Sequence, residues 1–349
     1  MRLEPRESPG LGLRFAAPAS AIVVALLLAA IPLAFAGAPL ATAYYEMFQG
    51  ALGSVFALTE TLTRATPLIL TGLAVTAAFR AKLWNIGAEG QLYAGALAAV
   101  VIASHAWSSS AFVMIPSMMV AGAAAGAVLL LIPTLLKTKL GVDEVVTTLL
   151  LNFVMLLFVS VMVEGPLQDP MSMGWPQSEP IVDEAVLPEL VPRTRLHAGL
   201  IIALVAAVLL SLLINRTRWG LEMRAVGANA DAARFAGMKI GRVMVFTAII
   251  SGGLAGLAGV SEVAGVRGYV TLDLSPGYGY AGIVVAMLAQ LSALGVVVSA
   301  IFIAAVFVGA DSMGRAMGVS SYLADLIVAL SLLTMLVAGL VARYRIRWA

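Results

Sequence analysis

The sequence contains no cysteine, only two histidines, and charged residues at just 11 % of its 349 positions. Without cysteine there is no disulfide framework, no thiol nucleophile and no thiolate-bound metal. His105 falls in a stretch read below as a non-cytoplasmic loop and His197 stands where the next such loop meets its following span, so a histidine metal site or a haem has no donor set. A soluble domain carries about 25 % charged residues. This chain is 61 % hydrophobic and lacks the polar side chains that a soluble surface of its size needs. Disorder is excluded by the same figures, because it requires low hydrophobicity and high charge. The formal net charge is only +2, from 21 basic and 19 acidic residues, and no basic patch accompanies it, so no nucleic-acid partner is implied. No Gly-x-x-x-x-Gly-Lys-Ser/Thr loop, His-Glu-x-x-His pair or nucleophile elbow occurs. The chain therefore offers no catalytic residue, no metal site and no ATP cradle of its own.

What is present is a series of long apolar runs. About 20 apolar residues cross a bilayer as a helix, and lipid tolerates no unpaired backbone. Ten stretches meet that description, near 15–37, 51–79, 84–104, 111–136, 144–163, 197–215, 243–263, 279–291, 294–314 and 321–342. The fold expected is all-α, a polytopic membrane protein of about ten transmembrane helices. An even number places both termini on one side. With that side cytoplasmic, 16 of the 21 Lys and Arg residues fall in cytoplasmic segments, as the positive-inside rule requires. Residues 1–14 then form a cytoplasmic tail, and 15–349 the transmembrane domain. The run after Arg14 is long enough to span, so it reads as an uncleaved first helix rather than a signal peptide.

Two loops are large. Residues 164–196, rich in proline and acidic side chains and carrying Met171, Met173 and Trp175, lie outside. They read equally well as a solvated connector or as a docking surface. Residues 215–242 lie inside and hold six basic residues. Within them Asn229 is placed to cap a helix of about two turns, and Gly237 to end it in the left-handed conformation. So short a helix is not stable alone in water. It either rests its arginines on lipid phosphate or fits a groove on a cytoplasmic partner.

The third span opens with Leu83-Trp-Asn-Ile-Gly-Ala-Glu-Gly-Gln91. Asn85, Glu89 and Gln91 are polar groups at the start of an apolar run, and Gly87 and Gly90 permit close backbone approach. Such groups line a solute path at a broken helix, or else Glu89 pairs with Arg80 or Lys82 and anchors the helix. Asn152, alone in the fifth span, joins a neighbouring helix or meets a solute hydroxyl. The second and third spans faintly resemble the seventh and eighth in opposite orientation, as inverted repeats do.

Three stretches in order carry a resemblance. Gly220 to Met238 resembles the cytoplasmic coupling loop of ABC importer permeases of the simple-sugar and branched-chain amino-acid superfamily. Asn85 to Gln91 is similar to the Asn-Ile-Gly-x-Glu-Gly-Gln signature of its nucleoside-type branch. Leu257–Gly268 followed by Gly277–Met287 resembles the segment and Gly-Tyr helix that follow. One departure is Gln290-Leu-Ser-Ala-Leu-Gly295, where the family tends to carry Asn-Pro-Leu-Gly. The resemblance implies a permease subunit in the cell membrane that imports nucleosides or related sugar-containing solutes by alternating access. It implies cytoplasmic ATPase subunits carrying ATP-Mg, an extracytoplasmic solute-binding protein, and a second permease subunit in a heterodimer or homodimer. Membrane lipid surrounds the whole. The coupling residues it implies are Gly220, Arg224, Gly227, Asn229, Asp231, Arg234 and Gly237; Asn85, Glu89, Gln91 and Asn152 are the candidates for the solute path. Two other functions compete. One is an ABC permease for simple sugars such as ribose; the other is an ion-driven secondary transporter using Glu60, Glu89 and Glu262.

Overall fold

The computed structural model of the chain describes residues 2–5, 11–105, 108 and 110–347. Of the expected tail 1–14, residues 1 and 6–10 thus lie outside the described residues. The architecture is helical: α1 (Leu11–Phe35), α2 (Leu40–Leu52), α3 (Val55–Arg80), α4 (Ala88–Ala103), α5 (Ala111–Leu140), α6 (Glu144–Val163) and α7 (Gly199–Arg216) come first. There follow α8 (Arg218–Ala228), α9 (Ala230–Phe235), α10 (Ile240–Glu262), α11 (Tyr278–Leu288), α12 (Ala293–Met317) and α13 (Ser321–Arg343). Each of the ten apolar stretches coincides with a helix. Among the described residues, six helices are long and apolar enough to cross a membrane: α3, α5, α6, α7, α10 extended to Arg267, and α12. The described apolar parts of α1, α4, α11 and α13 are shorter.

The chain divides into two compact units, 1–61 with 301–349, and 62–300. In the first unit, Ala29, Leu33, Ala38, Ala43, Met313 and Ile327 form a buried cluster, with Tyr44 and Met47 packed against it. Gly309 lies against the Met47 carbonyl, 2.6 Å from where a β-carbon would stand. The chain ends pair as short antiparallel strands, β1 (Arg2–Pro5) with β2 (Tyr344–Arg347).

The second unit is built on α4, α5 and α10, which approach one another through glycines. A β-carbon at Gly126 would stand 2.9 Å from the Gly256 Cα, and one at Gly252 2.8 Å from the Ala127 Cα. Gly95 and Gly259 meet backbone in the same way, at Gly256 and Leu92. Within lipid no hydrophobic force draws helices together, so close backbone contact through small residues supplies the adhesion. A larger side chain at any of these positions would push the helices apart. On another side, Gly72 of α3 packs on Val285 of α11 and Val296 of α12.

Candidate functional site

The segment 81–87 breaks the helical path between α3 and α4, and one face of α6 holds it. Glu144, Thr148 and Asn152 recur every four residues and are all buried, which places them on one stripe of the helix. Glu144 accepts from the Trp84 N–H at 3.2 Å and pairs with Lys137. The Thr148 hydroxyl accepts from the Ile86 N–H at 3.3 Å. Asn152 accepts from the Gly90 N–H at 2.8 Å and donates to the Ile86 carbonyl at 3.0 Å and to the Tyr280 hydroxyl at 3.1 Å. The polar ladder thereby satisfies the irregular backbone between α3 and α4.

Behind this turn, Asn85 and Gln91 exchange two amide hydrogen bonds at 2.9 and 2.8 Å. Asn85 also donates to Ser251 at 3.0 Å, and Ser251 donates to the Ala74 carbonyl at 2.7 Å. All three side chains are buried, so the network ties α4 to α10 and α3. Glu89 is turned elsewhere. Its carboxylate accepts from the Gly279 N–H at 2.6 Å and from the Ser275 side chain. The Ser275 hydroxyl oxygen in turn accepts from Gly277 at 3.2 Å and Tyr278 at 2.9 Å. Three successive N–H groups at the start of α11 are thus capped, and the carboxylate sits at the positive end of the helix dipole. Glu89 serves α11 rather than Arg80, whose Nε donates to the Leu291 carbonyl, or Lys82, whose carbonyl accepts from Lys137.

The N-termini of two short helices, α4 and α11, therefore meet: a β-carbon at Gly279 would stand 2.5 Å from the Glu89 Cα. Beside the meeting point Tyr280 keeps 40 % of its surface exposed while its hydroxyl is held by Asn152. The structure thus brings together Glu89 and Asn152, adds Tyr280 and Ser275, and sets Asn85 and Gln91 one layer behind. Ser275-Pro276-Gly277 is a capping signature legible in the sequence. Nothing in the sequence pairs it with Glu89.

In the 215–242 loop, Thr217 caps α8 by accepting from Gly220 at 3.1 Å, and Asn229 caps α9 by accepting from Asp231 and Ala232 at 3.0 and 3.1 Å. Gly237 then adopts φ +84°, ending the turn as its sequence position predicts. The longer α8 is not apparent in the sequence. Its Met223, Val226 and Gly227 are buried, and a β-carbon at Gly227 would collide with the Arg80 carbonyl. Gly220 is held as tightly against the end of α7. Trp219 stacks on Phe246 of α10 with ring centroids 4.1 Å apart. Arg224, Asn229, Asp231, Arg234 and Gly237 are exposed, and Phe235 is 98 % exposed. The loop is a docked base, α8, carrying a projecting knob, α9.

Residues 164–198 are tied to the rest of their unit through backbone groups and the Ser178 hydroxyl. Ser178 and Val270 exchange bonds at 2.9 and 2.8 Å, Ile181 donates to Gly268 at 2.8 Å, and Leu187 donates to Ala264 at 2.8 Å. The receiving segment follows α10 as a single π-helical turn, Val263–Arg267. His197 is buried beside Gly199 and Gly265. Its Nδ1 accepts from the Gly199 N–H at 3.1 Å, and Nε2 has no partner. Burial therefore pushes its pKa down to about 4. Met171, Met173 and Trp175 are exposed.

The sequence of residues 57–339 matches the family described as "Branched-chain amino acid transport system / permease component". The chain is 38 % identical to the glucose ABC transporter permease protein TsgB13 of Haloferax volcanii, over 99 % of this chain and 93 % of the relative. It is 35 % identical to the guanosine ABC transporter permease protein NupP of Bacillus subtilis, over 90 % and 91 %. It is 34 % identical to the nucleoside ABC transporter permease protein NupB of Lactococcus lactis, over 85 % and 84 %. No solved structure gives a significant match.

Proposed function

The chain belongs to the family of permease components of branched-chain amino acid transport systems, and we propose that within it this chain moves nucleosides into the cell. As an ABC permease of the nucleoside and sugar importers it is a multi-pass protein of the cell membrane and a transport subunit rather than an enzyme. The observation that carries the nucleoside reading is full-length similarity to the guanosine and nucleoside permeases. A second reading, sugar import, is favoured by the 38 % identity to a glucose permease.

In this proposal ten helices cross the membrane with both termini inside, a reading supported by the basic-residue distribution and by the pairing of the chain ends. The α9 knob, with Asn229, Asp231, Arg234 and Phe235, enters a groove on a cytoplasmic ATPase subunit carrying ATP-Mg. The α8 base, with Gly220, Arg224 and Gly227, passes the motion to the ends of α3, α7 and α10. Solute is delivered by an extracytoplasmic binding protein at the 164–196 loop. It then passes between this subunit and a second permease subunit, a different chain in a heterodimer rather than a copy. The path runs along the exposed side of Tyr280, with Glu89 and Asn152 setting its wall and Asn85 and Gln91 bracing that wall. Discontinuous helices meeting by their N-termini are a recurrent device at transport sites. Alternating access follows when the wall moves with the knob.

The test is uptake by cells expressing the chain with its ABC partners, using labelled guanosine and labelled glucose. Saturable guanosine uptake that unlabelled nucleosides displace and glucose does not is the expected result. Uptake of glucose alone replaces the nucleoside reading with the sugar one, and guanosine uptake that persists without the ATPase overturns the ABC mechanism in favour of ion coupling. Topology is tested with a cysteine at Met173, which is fully exposed, and another at Ala236, both on the cysteine-free chain. Only the first should react with an impermeant thiol reagent from outside. Ser178, near the middle of the same loop, is unsuitable because it is completely buried.

A further inference from the structure

The backbone between the π-helical turn and α11 is irregular, runs through the second unit, and is gripped at both ends. At one end Ser178, Ile181 and Leu187 of the 164–198 segment bond to Val270, Gly268 and Ala264. At the other, Tyr93 reaches it from α4. Tyr93 is 1 % exposed. Its hydroxyl donates to the Leu272 carbonyl at 2.6 Å and accepts from the Ser275 N–H at 3.2 Å. Tyr93 lies one helical turn beyond Glu89, so the two side chains rise on one face of α4 and hold Leu272, Ser275 and Gly279 in order. The far end of α4 belongs to the same frame, because the Ala103 carbonyl accepts from the Val182 N–H at 2.8 Å.

A buried phenol that bonds twice to backbone, 179 and 182 residues away along the chain, does more than fill space. An apolar ring of the same shape would fill the core equally well, and a buried hydroxyl lowers the free energy only when its bonds are made. The two bonds of Tyr93 fix the relation between Leu272 and Ser275, and through Ser275 the N-terminal turn of α11. That turn carries Tyr280 beside Asn152.

We propose that Tyr93 and Ser275 are positioning residues of transport, which convert movement of the 164–198 segment into movement of the α11 N-terminus. Neither residue meets solute. They set where Tyr280 stands when the outer loop is engaged and where it stands when the loop is released. The proposal rests on the importer reading above for the direction of use, but not for the linkage itself.

Two measurements decide it. The first is a double-mutant cycle of Tyr93→Phe, which removes only the hydroxyl, and Ser178→Ala, which removes the hydroxyl that accepts from Val270 at the opposite end. Each change should slow guanosine uptake at saturation by about three- to tenfold, the scale of one lost hydrogen bond in a buried network. The half-saturating concentration should stay the same. If both act on one linkage, the double variant is no slower than the worse single one. Multiplicative losses, or a change in half-saturation without a change in maximal rate, overturn the proposal. The second measurement is amide hydrogen exchange on the intact chain in nanodiscs, which needs no solute and stands even if guanosine is not the cargo. In Tyr93→Phe, exchange should accelerate at 272–279 and also at 178–187, beyond the site of substitution. Acceleration confined to 272–279 makes the hydroxyl a local brace and refutes the linkage. Should the Tyr93 variant fail to fold, Ser275→Ala serves for both measurements with the same expectations.

Discussion

The proposed cytoplasmic loop 215–242 and the α4–α11 junction use their polar residues in opposite ways. In the loop, Asn229 caps its own helix two and three residues on, Arg234 pairs with Asp231 three residues back, and Arg218 pairs with Glu222 four residues on. These groups are exposed or partly so, and their bonds close within about one turn. At the junction, Glu89 bonds to Gly279, 190 residues away, and Asn152 bonds to Tyr280, 128 residues away. These groups are buried or half-buried, and each of these bonds joins different elements. The difference is physical. The exposed ion pairs contribute little to stability, of order 0.5 kcal/mol or less each, the Asn229 cap about 1 kcal/mol, and together they leave the surface free for a partner. A buried bond whose partner is lost leaves an unsatisfied group that costs about 1–3 kcal/mol, so the junction cannot drift. One region is built to be met, the other to be held.

The sharpest attempt to break that contrast is to remove the knob. Deleting 229–237 should reduce ATP-driven uptake to background while the chain still inserts, since α8 keeps its own cap at Thr217 and its packing against Arg80 and Phe246. Co-purification of the ATPase subunit gives the direct reading. Retained co-purification and uptake would show that α9 is only a surface helix resting on lipid. Phe235→Ala, which removes the most exposed side chain of the knob, should give a weaker version of the same loss without changing thermal stability.

Glu89 comes next in size. Glu89→Ala leaves the Gly279 N–H and the Ser275 hydroxyl without their acceptor in a buried site, a cost of about 2–4 kcal/mol once the lost helix-dipole interaction is included. Uptake should fall by more than tenfold. Glu89→Gln keeps one acceptor oxygen and should lose less. Exchanging charges in Glu89→Lys with Lys82→Glu should restore nothing, because Lys82 is not the partner of Glu89. Full recovery in that pair would mean the carboxylate anchors α4 locally, and the junction would then resemble the loop after all.

The same contrast explains what is legible in the sequence. Capping signals act between neighbours, so Asn229 and Gly237 can be placed from the sequence alone. So can the ten apolar stretches, whose periodless hydrophobicity needs no partner to be read. The Asn85–Gln91 motif is visible as an anomaly, polar residues opening an apolar run, but its wiring is not. That Asn85 meets Gln91 and Ser251, while Glu89 passes both and reaches α11, depends on how α4, α10 and α11 cross. The Glu144–Thr148–Asn152 ladder has a readable period of four, yet only Asn152 stands out, because Thr148 and Glu144 look like ordinary helix-start residues. Tyr280 and Tyr93 carry no local signal that separates a core tyrosine from a working one. Helix α8 is hidden because its buried stripe, Met223, Val226 and Gly227, is short and interrupted by charge.

The smallest effect tests whether burial alone, without a remote partner, also locks a polar group. His197 is buried like Glu89, but its one bond is local, from the Gly199 N–H two residues on. Its pKa is pushed down to about 4 in the folded chain against about 6.5 when unfolded. Above pH 6.5 both states hold a neutral imidazole and the shift contributes nothing. Between pH 6.5 and 4 the unfolded chain binds a proton that the folded one does not, so stability falls as pH falls through that window. The full loss is at most about 3 kcal/mol, reached near pH 4. The segment around 164–198 should loosen first, because His197 lies at its base against Gly265. Exchange of the Ser178, Ile181 and Leu187 amides should therefore accelerate between pH 6.5 and 4.5, after correction for the intrinsic pH dependence of exchange, while the α4–α10 amides stay protected. In His197→Asn an amide oxygen takes the place of Nδ1 and nothing titrates, so the corrected acceleration should vanish, at a constant cost from the lost ring. An undiminished acceleration in that variant would assign the pH dependence to something other than His197, and burial without a remote bond would then not be enough to lock a polar group.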